Sequence, residues 1–226
     1  MQLRCSFYLR GERMAKTIIR ENDVLAIETR SSLFVIVQAL KHKTLVFFNL
    51  FTNTPESFDA DLNNAEFLCC ITPVKSFFNN ATINKLKIKP AEAIGHYREQ
   101  NHLALELMSV ATRNVKVYEG TNDEIIIPAA FMGELRLVDS LTNTLKHLSK
   151  EKDVDIIFSH QIDTMGMWGE LNERLYLSYR YGKYVEPIKD LMMGNTPLEY
   201  KVYYQLMAQQ ISVADYMLLP IEEVLY

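Results

Sequence analysis

The chain has 226 residues, 48% of them hydrophobic and 23% charged, with a formal net charge of −4. This is the composition of a folded chain long enough to bury a core, and it excludes a disordered or collagen-like polymer. The charge balance gives no whole-chain argument for a polyanion partner, and no run approaches the ~18 uninterrupted apolar residues of a membrane span.

Residues 1–13 show no clear period, and they lack the long apolar region and small-residue cleavage site of a secretory signal. Met14 opens a more natural start, so residues 1–17 read as an extension. The three cysteines, Cys5, Cys69 and Cys70, form no disulfide framework. A reducing, cytoplasmic setting is expected, with buried thiols and no membrane segment.

The chain is organised around the stretch from Ile18 to Leu50. Val24–Ile27, Leu33–Val37 and Leu45–Phe48 are apolar runs rich in Val, Ile and Phe, separated by short polar stretches. Such runs predict three consecutive antiparallel strands, the middle one apolar on both faces and therefore central. Residues 52–64 are polar and turn-rich and predict a loop. Glu66–Val74 predicts a fourth strand, stopped near Pro73, with Cys69 and Cys70 on opposite faces. Ile83–Ile88 alternates apolar residues with Lys85 and Lys87, the pattern of a half-exposed edge strand.

Pro90 suits a first helical turn, and a helix is expected from there to about Met108. Arg113–Pro128 predicts a hairpin with its tip at Glu119–Glu124. Leu135, Val138, Leu141, Leu145 and Leu148 follow three- and four-residue steps, which predict an amphipathic helix over 134–150. Asp155–Ile162 reads as a short strand. Trp168, Leu171, Leu175 and Tyr179 mark a helix ended by Gly182, and Val185–Met193 a short helix or turn closed by Gly194-Asn195. Thr196-Pro197 opens another helix, and Ser212 caps a last one. The expected class is α+β, an antiparallel sheet or small barrel in the N-terminal half with helices dominating the C-terminal half. In domain terms, 1–132 is mainly β and 133–226 mainly helical.

No catalytic, metal or cofactor site is assigned. His96 and His102 are six residues apart and face different sides of a helix; Glu99, His102 and Glu106 share a face, which a solvated helix explains more simply. His160 and Asp163 are a base–orienter candidate with no nucleophile placed beside them. No glycine-rich phosphate loop occurs. The back half is acidic: 133–226 holds 9 Lys+Arg against 14 Asp+Glu, while 1–132 is balanced at 15 against 14. Tyr176, Tyr179, Tyr181 and Tyr184 interleave with Arg174, Arg180 and Lys183. Packing is the first reading of these tyrosines, a protein interface the second and single-stranded nucleic acid the third. The partner-binding residues expected on the second reading are Glu170, Glu173, Tyr176, Tyr179 and Tyr184, where charge and aromatic residues alternate most densely.

The order Asp23-Val24-Leu25-Ala26-Ile27, then Leu33–Val37, then Val46-Phe47-Phe48-Asn49-Leu50-Phe51 resembles the opening of the bacterial immunity protein 26 family. Asn22 stands where that family's pattern has glycine, and Asn49 where it has aspartate. The resemblance covers about residues 18–95. It implies a β-rich N-terminal domain in a cytoplasmic, non-catalytic protein that binds and neutralises a cognate bacterial toxin, a basic one in view of the acidic back half. The alternative is a nucleic-acid-associated phage or mobile-element protein.

Overall fold

A computed structural model describes residues 18–30, 32–92, 94, 102–106, 114–128, 133–139, 142, 144–163 and 169–222. Antiparallel sheets dominate the N-terminal region and helices dominate 154–217, so the chain is mixed α+β.

The expected meander is present. Strands β1 (Val24–Glu28), β2 (Phe34–Ala39), β3 (Leu45–Thr52), β4 (Phe67–Ile71) and β5 (Ile83–Leu86) form one open sheet in the order β4-β3-β2-β1-β5. All neighbours are antiparallel, with Ala26 opposite Ile36 and Gln38 opposite Val46. The sheet is open rather than a barrel, and β5 is an edge strand as its lysine alternation predicts. Lys85 there pairs with Asp23.

Both faces of the sheet are covered, which is why the middle strand has no polar face. One face buries Leu25, Ile27, Val35, Val37, Phe47 and Cys69 against Phe77, Leu171 and Leu175. The other buries Val24, Ala26, Phe34, Ile36, Val46 and Phe48 against Leu62, Ala91 and Ile94, with Cys70 packed at its margin. Phe77 belongs to the short helix α1 (Lys75–Asn80).

The second half departs from its sequence pattern. The described residues of 134–150 are not a helix (Leu141 lies outside them): β9 (Glu134–Val138) and β10 (Leu145–His147) form a three-stranded sheet with β6 (His102–Glu106), in the order β10-β9-β6. Leu135 and Val138 are buried, but by cross-strand pairing in which Leu135 faces Leu105 and Val138 faces His102. The three-four spacing of the leucines fits a half-buried strand followed by a turn as well as it fits a helix. β6 likewise replaces part of the helix expected over 90–108; the remainder of that span is described only in part. The hairpin β7 (Asn114–Val117) and β8 (Ile125–Pro128) forms as expected.

Asp155–Ile162 is helical rather than extended, as α2 (Val154–Ser159), and only Ile162 makes a strand-like bridge, to Leu103. Helix α3 (Glu170–Tyr181) ends at Gly182 in the left-handed region (φ 64°), as its glycine predicts. α4 (Pro187–Met192) comes next. Beyond it Pro197 precedes a 3₁₀ turn, Leu198–Tyr200, and α5 (Lys201–Met207), so the proline, expected at the first helical position, sits one place before it. α6 (Val213–Met217) carries the expected cap, the Asp215 amide donating to Ser212 Oγ at 3.1 Å.

α3 is the wall both halves share. Leu171 and Leu175 pack on the five-stranded sheet, and Leu177 packs among Leu103, Ile127, Leu135, Ile157, Ile188 and Tyr204 in the second core. Tyr200, Tyr203 and Tyr204 are buried there and serve packing.

Candidate functional site: a cleft between the two sheets

A cleft of about 1130 Å³ opens where the outer edge of β4 faces the helical layer. Its walls come from Phe67, Leu68, Cys70 and Thr72, from His102 on β6, from Phe158–Gln161 with Asp163, from Tyr181 at the end of α3, from Tyr184, from Lys189 in α4 and from Tyr200 in the 3₁₀ turn.

Gln161 fixes how these walls meet. Its side-chain amide accepts from the Cys70 N–H at 2.9 Å and donates to the Cys70 carbonyl at 2.7 Å. That is the pair of bonds a neighbouring strand would make. The main chain beside it bonds the other sheet: Leu103 N–H donates to the Gln161 carbonyl, and Asp163 N–H to the Leu103 carbonyl, each at 2.7 Å. An extended segment, 161–163, therefore ties the edge of one sheet to the edge of the other.

Below it lies a buried ionic group. The Ile162 N–H donates to Glu186 Oε1 at 3.0 Å, and Arg174 Nη2 approaches the same oxygen at 3.4 Å. Lys189 Nζ bonds Glu186 Oε2 and also donates to the His160 carbonyl. The Arg174, Glu186 and Lys189 side chains are only 5%, 6% and 6% exposed. Charges taken this far out of water persist only when paired and hydrogen-bonded.

The His160–Asp163 candidate pair does not form. Asp163 Oδ2 lies 3.8 Å from His102 Nε2, whereas His160 Nδ1 sits 3.0 Å from the Ile156 carbonyl and 3.1 Å from Ser159 Oγ. Ser159 Oγ in turn donates to the Ile156 carbonyl at 3.2 Å. Among the described residues no group of three His, Cys, Asp or Glu side chains converges as a metal site would require. His96 and Glu99 lie outside the described residues.

The five residues expected to meet a partner are dispersed. Glu173 and Tyr176 are fully buried and have no surface to offer. The Glu173 carboxylate accepts from Arg30 Nη2 at 2.7 Å and from Arg30 Nε at 3.0 Å. The Tyr176 ring lies under the same guanidinium at 3.9 Å, and its hydroxyl accepts from the Glu222 N–H at 2.7 Å. Burial pushes the Glu173 carboxyl up to about 7, against the pull of Arg30. Glu170, in the first turn of α3, is partly buried, and its carboxyl is raised by that burial. Tyr179 is partly buried, its ring 5.2 Å from that of Phe51. Only Tyr184 of the five lines the cleft. The alternation of charge and aromatic residues in α3 marks a helix buried on almost every side, its charges answered by Arg30, Glu186 and Glu222.

Gln161, Lys189 and Glu186 carry no signal in the sequence, because their roles depend on segments far away in the chain. Of the tyrosine and basic residues that interleave over 174–184, Tyr181, Lys183 and Tyr184 reach the cleft. Among the described residues no helix is long and apolar enough to cross a membrane. No curated protein and no solved structure matches the chain. A domain of unknown function, DUF8309, matches residues 14–195, a span that holds both sheets and most of the cleft but stops short of α5 and α6. On that match the chain belongs to the DUF8309 family.

Proposed function

We propose that the protein is a non-catalytic binding module that takes a segment of another protein into the cleft. The role proposed for it is the one implied by the resemblance of its first strands, neutralisation of a cognate toxin. The observation that supports this reading is the make-up of the cleft wall. Tyr181, Tyr184 and the half-exposed Phe158 stand among polar side chains that are themselves tied to the fold. Aromatic anchors within a polar rim are the composition of protein interfaces. The volume, about 1130 Å³, lies at or beyond the upper end of the roughly 300–1,000 Å³ typical of small-molecule pockets, which suits a stretch of polypeptide. Ser159 Oγ donates to a backbone carbonyl, a helix-end role rather than that of an activated nucleophile.

Site-specific photocrosslinking in the native cell tests this. A photoreactive residue at Phe158, 50% exposed on the rim, is expected to capture one protein, whereas the same residue at Ile126, 47% exposed and outside the cleft, is not. Capture of nucleic acid from Phe158, or equal capture from both positions, overturns the reading. The captured protein, expressed alone, is expected to arrest growth and to be rescued by co-expression of this chain. Failure of rescue removes the toxin role and leaves the binding role standing.

A further inference from the structure

We propose that the C-terminal segment, residues 212–222, is a releasable arm, docked as a bound peptide on a site built by Thr29, Arg30, Glu173, Tyr176 and Arg180. None of these five residues lines the cleft, so the arm and the cleft stand or fall separately.

The site is formed without the arm. Arg30 donates through Nε and Nη2 to the two oxygens of Glu173, and the Tyr176 ring centre lies 3.9 Å from the same guanidinium. The Thr29 carbonyl accepts from Asn172 Nδ2 at 3.2 Å. These contacts join the β1–β2 turn to α3, so the groups that face the arm are held in place by one another. A receptor ordered in advance loses little freedom when it is filled.

On this frame the arm makes the contacts of a peptide ligand. Tyr216, fully buried, is the anchor: its ring centre lies 5.7 Å from the Arg30 guanidinium, and its hydroxyl donates to the Thr29 carbonyl at 3.3 Å. Further along, the Pro220 carbonyl accepts from Arg30 Nη1 at 3.2 Å, and the Glu222 N–H donates to the Tyr176 hydroxyl at 2.7 Å. The Glu222 carboxylate bonds Arg180 Nη1 through one oxygen, and its other oxygen lies 4.0 Å from Arg30 Nη1. A buried aromatic anchor, two main-chain bonds and a carboxylate between two guanidiniums are features by which a short acidic segment is recognised.

Release follows from how little else the arm buries. Tyr216 is the one buried residue of 212–222, and Leu218 is 80% exposed. Tyr216 lies in none of the apolar cores formed by the described residues, and of the arm only Met217 packs against one, partly buried. By contrast α5, just before it, buries Tyr203, Tyr204, Leu206 and Met207. Segments with few buried apolar contacts open ahead of global unfolding. The Glu222 side chain is 52% exposed, so salt weakens its ion pairs.

Two measurements on the full chain test the arm. In native-state hydrogen exchange, the amides of Asp215, Tyr216, Leu218 and Leu219 are expected to exchange together. Their opening is expected to be at least about a hundredfold more frequent than the one that exposes Leu177 of α3, and more frequent still at high salt. In fluorescence anisotropy, a labelled peptide of residues 211–222 is expected to bind the Tyr216→Ala chain roughly tenfold or more tightly than the unmodified chain, whose own arm competes at high effective concentration. The same peptide carrying Tyr216→Ala is expected not to bind, and carrying Glu222→Gln to bind about three- to tenfold more weakly. Exchange of the arm amides only in step with Leu177 overturns the arm, as does an unfolded Tyr216→Ala chain, since either makes the segment part of the global fold. Failure of the peptide to bind a folded Tyr216→Ala chain overturns the site. A dimer of the unmodified chain that Tyr216→Ala dissolves overturns docking by the chain's own arm and gives the site to the arm of a second copy.

Discussion

Strands β1 to β4 and strands β6, β9 and β10 both form antiparallel sheets, yet the two are stabilised in different ways. In the first sheet, β1 to β4 are neighbours in sequence and in space, and both faces are buried. In the second, β9 pairs with β6, about thirty residues earlier, and with the short strand β10, whose three residues are all exposed. The first sheet is a core in its own right. The second depends on the helices that cover it, and α3 is the element through which the two share burial. A sheet made of consecutive hairpins can be specified locally, whereas a sheet closed by distant strands needs the rest of the molecule to hold its register.

Truncating one large side chain in each sheet tests that sharing most severely. Phe47→Ala is expected to cost roughly 3–5 kcal/mol and Leu135→Ala roughly 2–5 kcal/mol, since both side chains are buried and each leaves a cavity. If α3 couples the two cores, urea unfolding followed by circular dichroism and by tyrosine fluorescence gives one coincident transition in both variants. Two separated transitions would break the claim of a common wall.

The Arg30–Glu173 pair joins the β1–β2 turn to α3, and it sharpens the comparison through pH. The Glu173 carboxyl is raised by burial from an ordinary 4.5 to about 7. Between those values the folded chain holds a proton that the unfolded chain has released, so this group makes stability fall as pH rises. The contribution is at most about 1.4 kcal/mol per pH unit. Glu173→Gln is expected to remove it, so the difference in unfolding free energy between the two proteins should change across pH 5 to 7 and level off above. A difference independent of pH would place the titrating charge elsewhere.

Gln161 joins the sheet edges directly, and its loss should be felt at the cleft. Gln161→Ala removes both bonds to the Cys70 main chain and is expected to cost roughly 1–3 kcal/mol. Hydrogen exchange at Cys70 should accelerate while exchange at Val35, inside the meander, is unchanged. Acceleration at both sites would show that the clamp supports the whole fold rather than the cleft wall. The smallest effect concerns α6, the final helix. Ser212→Ala deletes its cap and is expected to cost about 1 kcal/mol, read from the urea midpoint, without altering exchange in either sheet.

Several elements can be read from residues alone, each because its cause is local. The apolar runs of β1 to β3 leave only hairpin-length connections, Gly182 supplies the left-handed residue that ends α3, and Ser212 caps α6. The lysines beside Leu86 mark β5 as an edge strand. The misreadings occur where one local pattern serves two structures. Leucines at 135, 141, 145 and 148, with Val138 between them, fit a helix, and only pairing with β6 makes 134–138 a strand. The charges of α3 look like an outer face because sequence does not show that Arg30, Glu186 and Glu222 answer them.

The sequence by itself determined the meander, the order of the helices from α3 onward and the stops between them, because hydrophobic period and capping chemistry act over a few residues. The tertiary structure alone decided the second sheet, the burial of Glu173 and Tyr176, and the cleft. Each of these needs partners tens of residues apart, Gln161 with Cys70, Arg30 with Glu173, Glu186 with Ile162, and no local pattern carries the position of a distant partner.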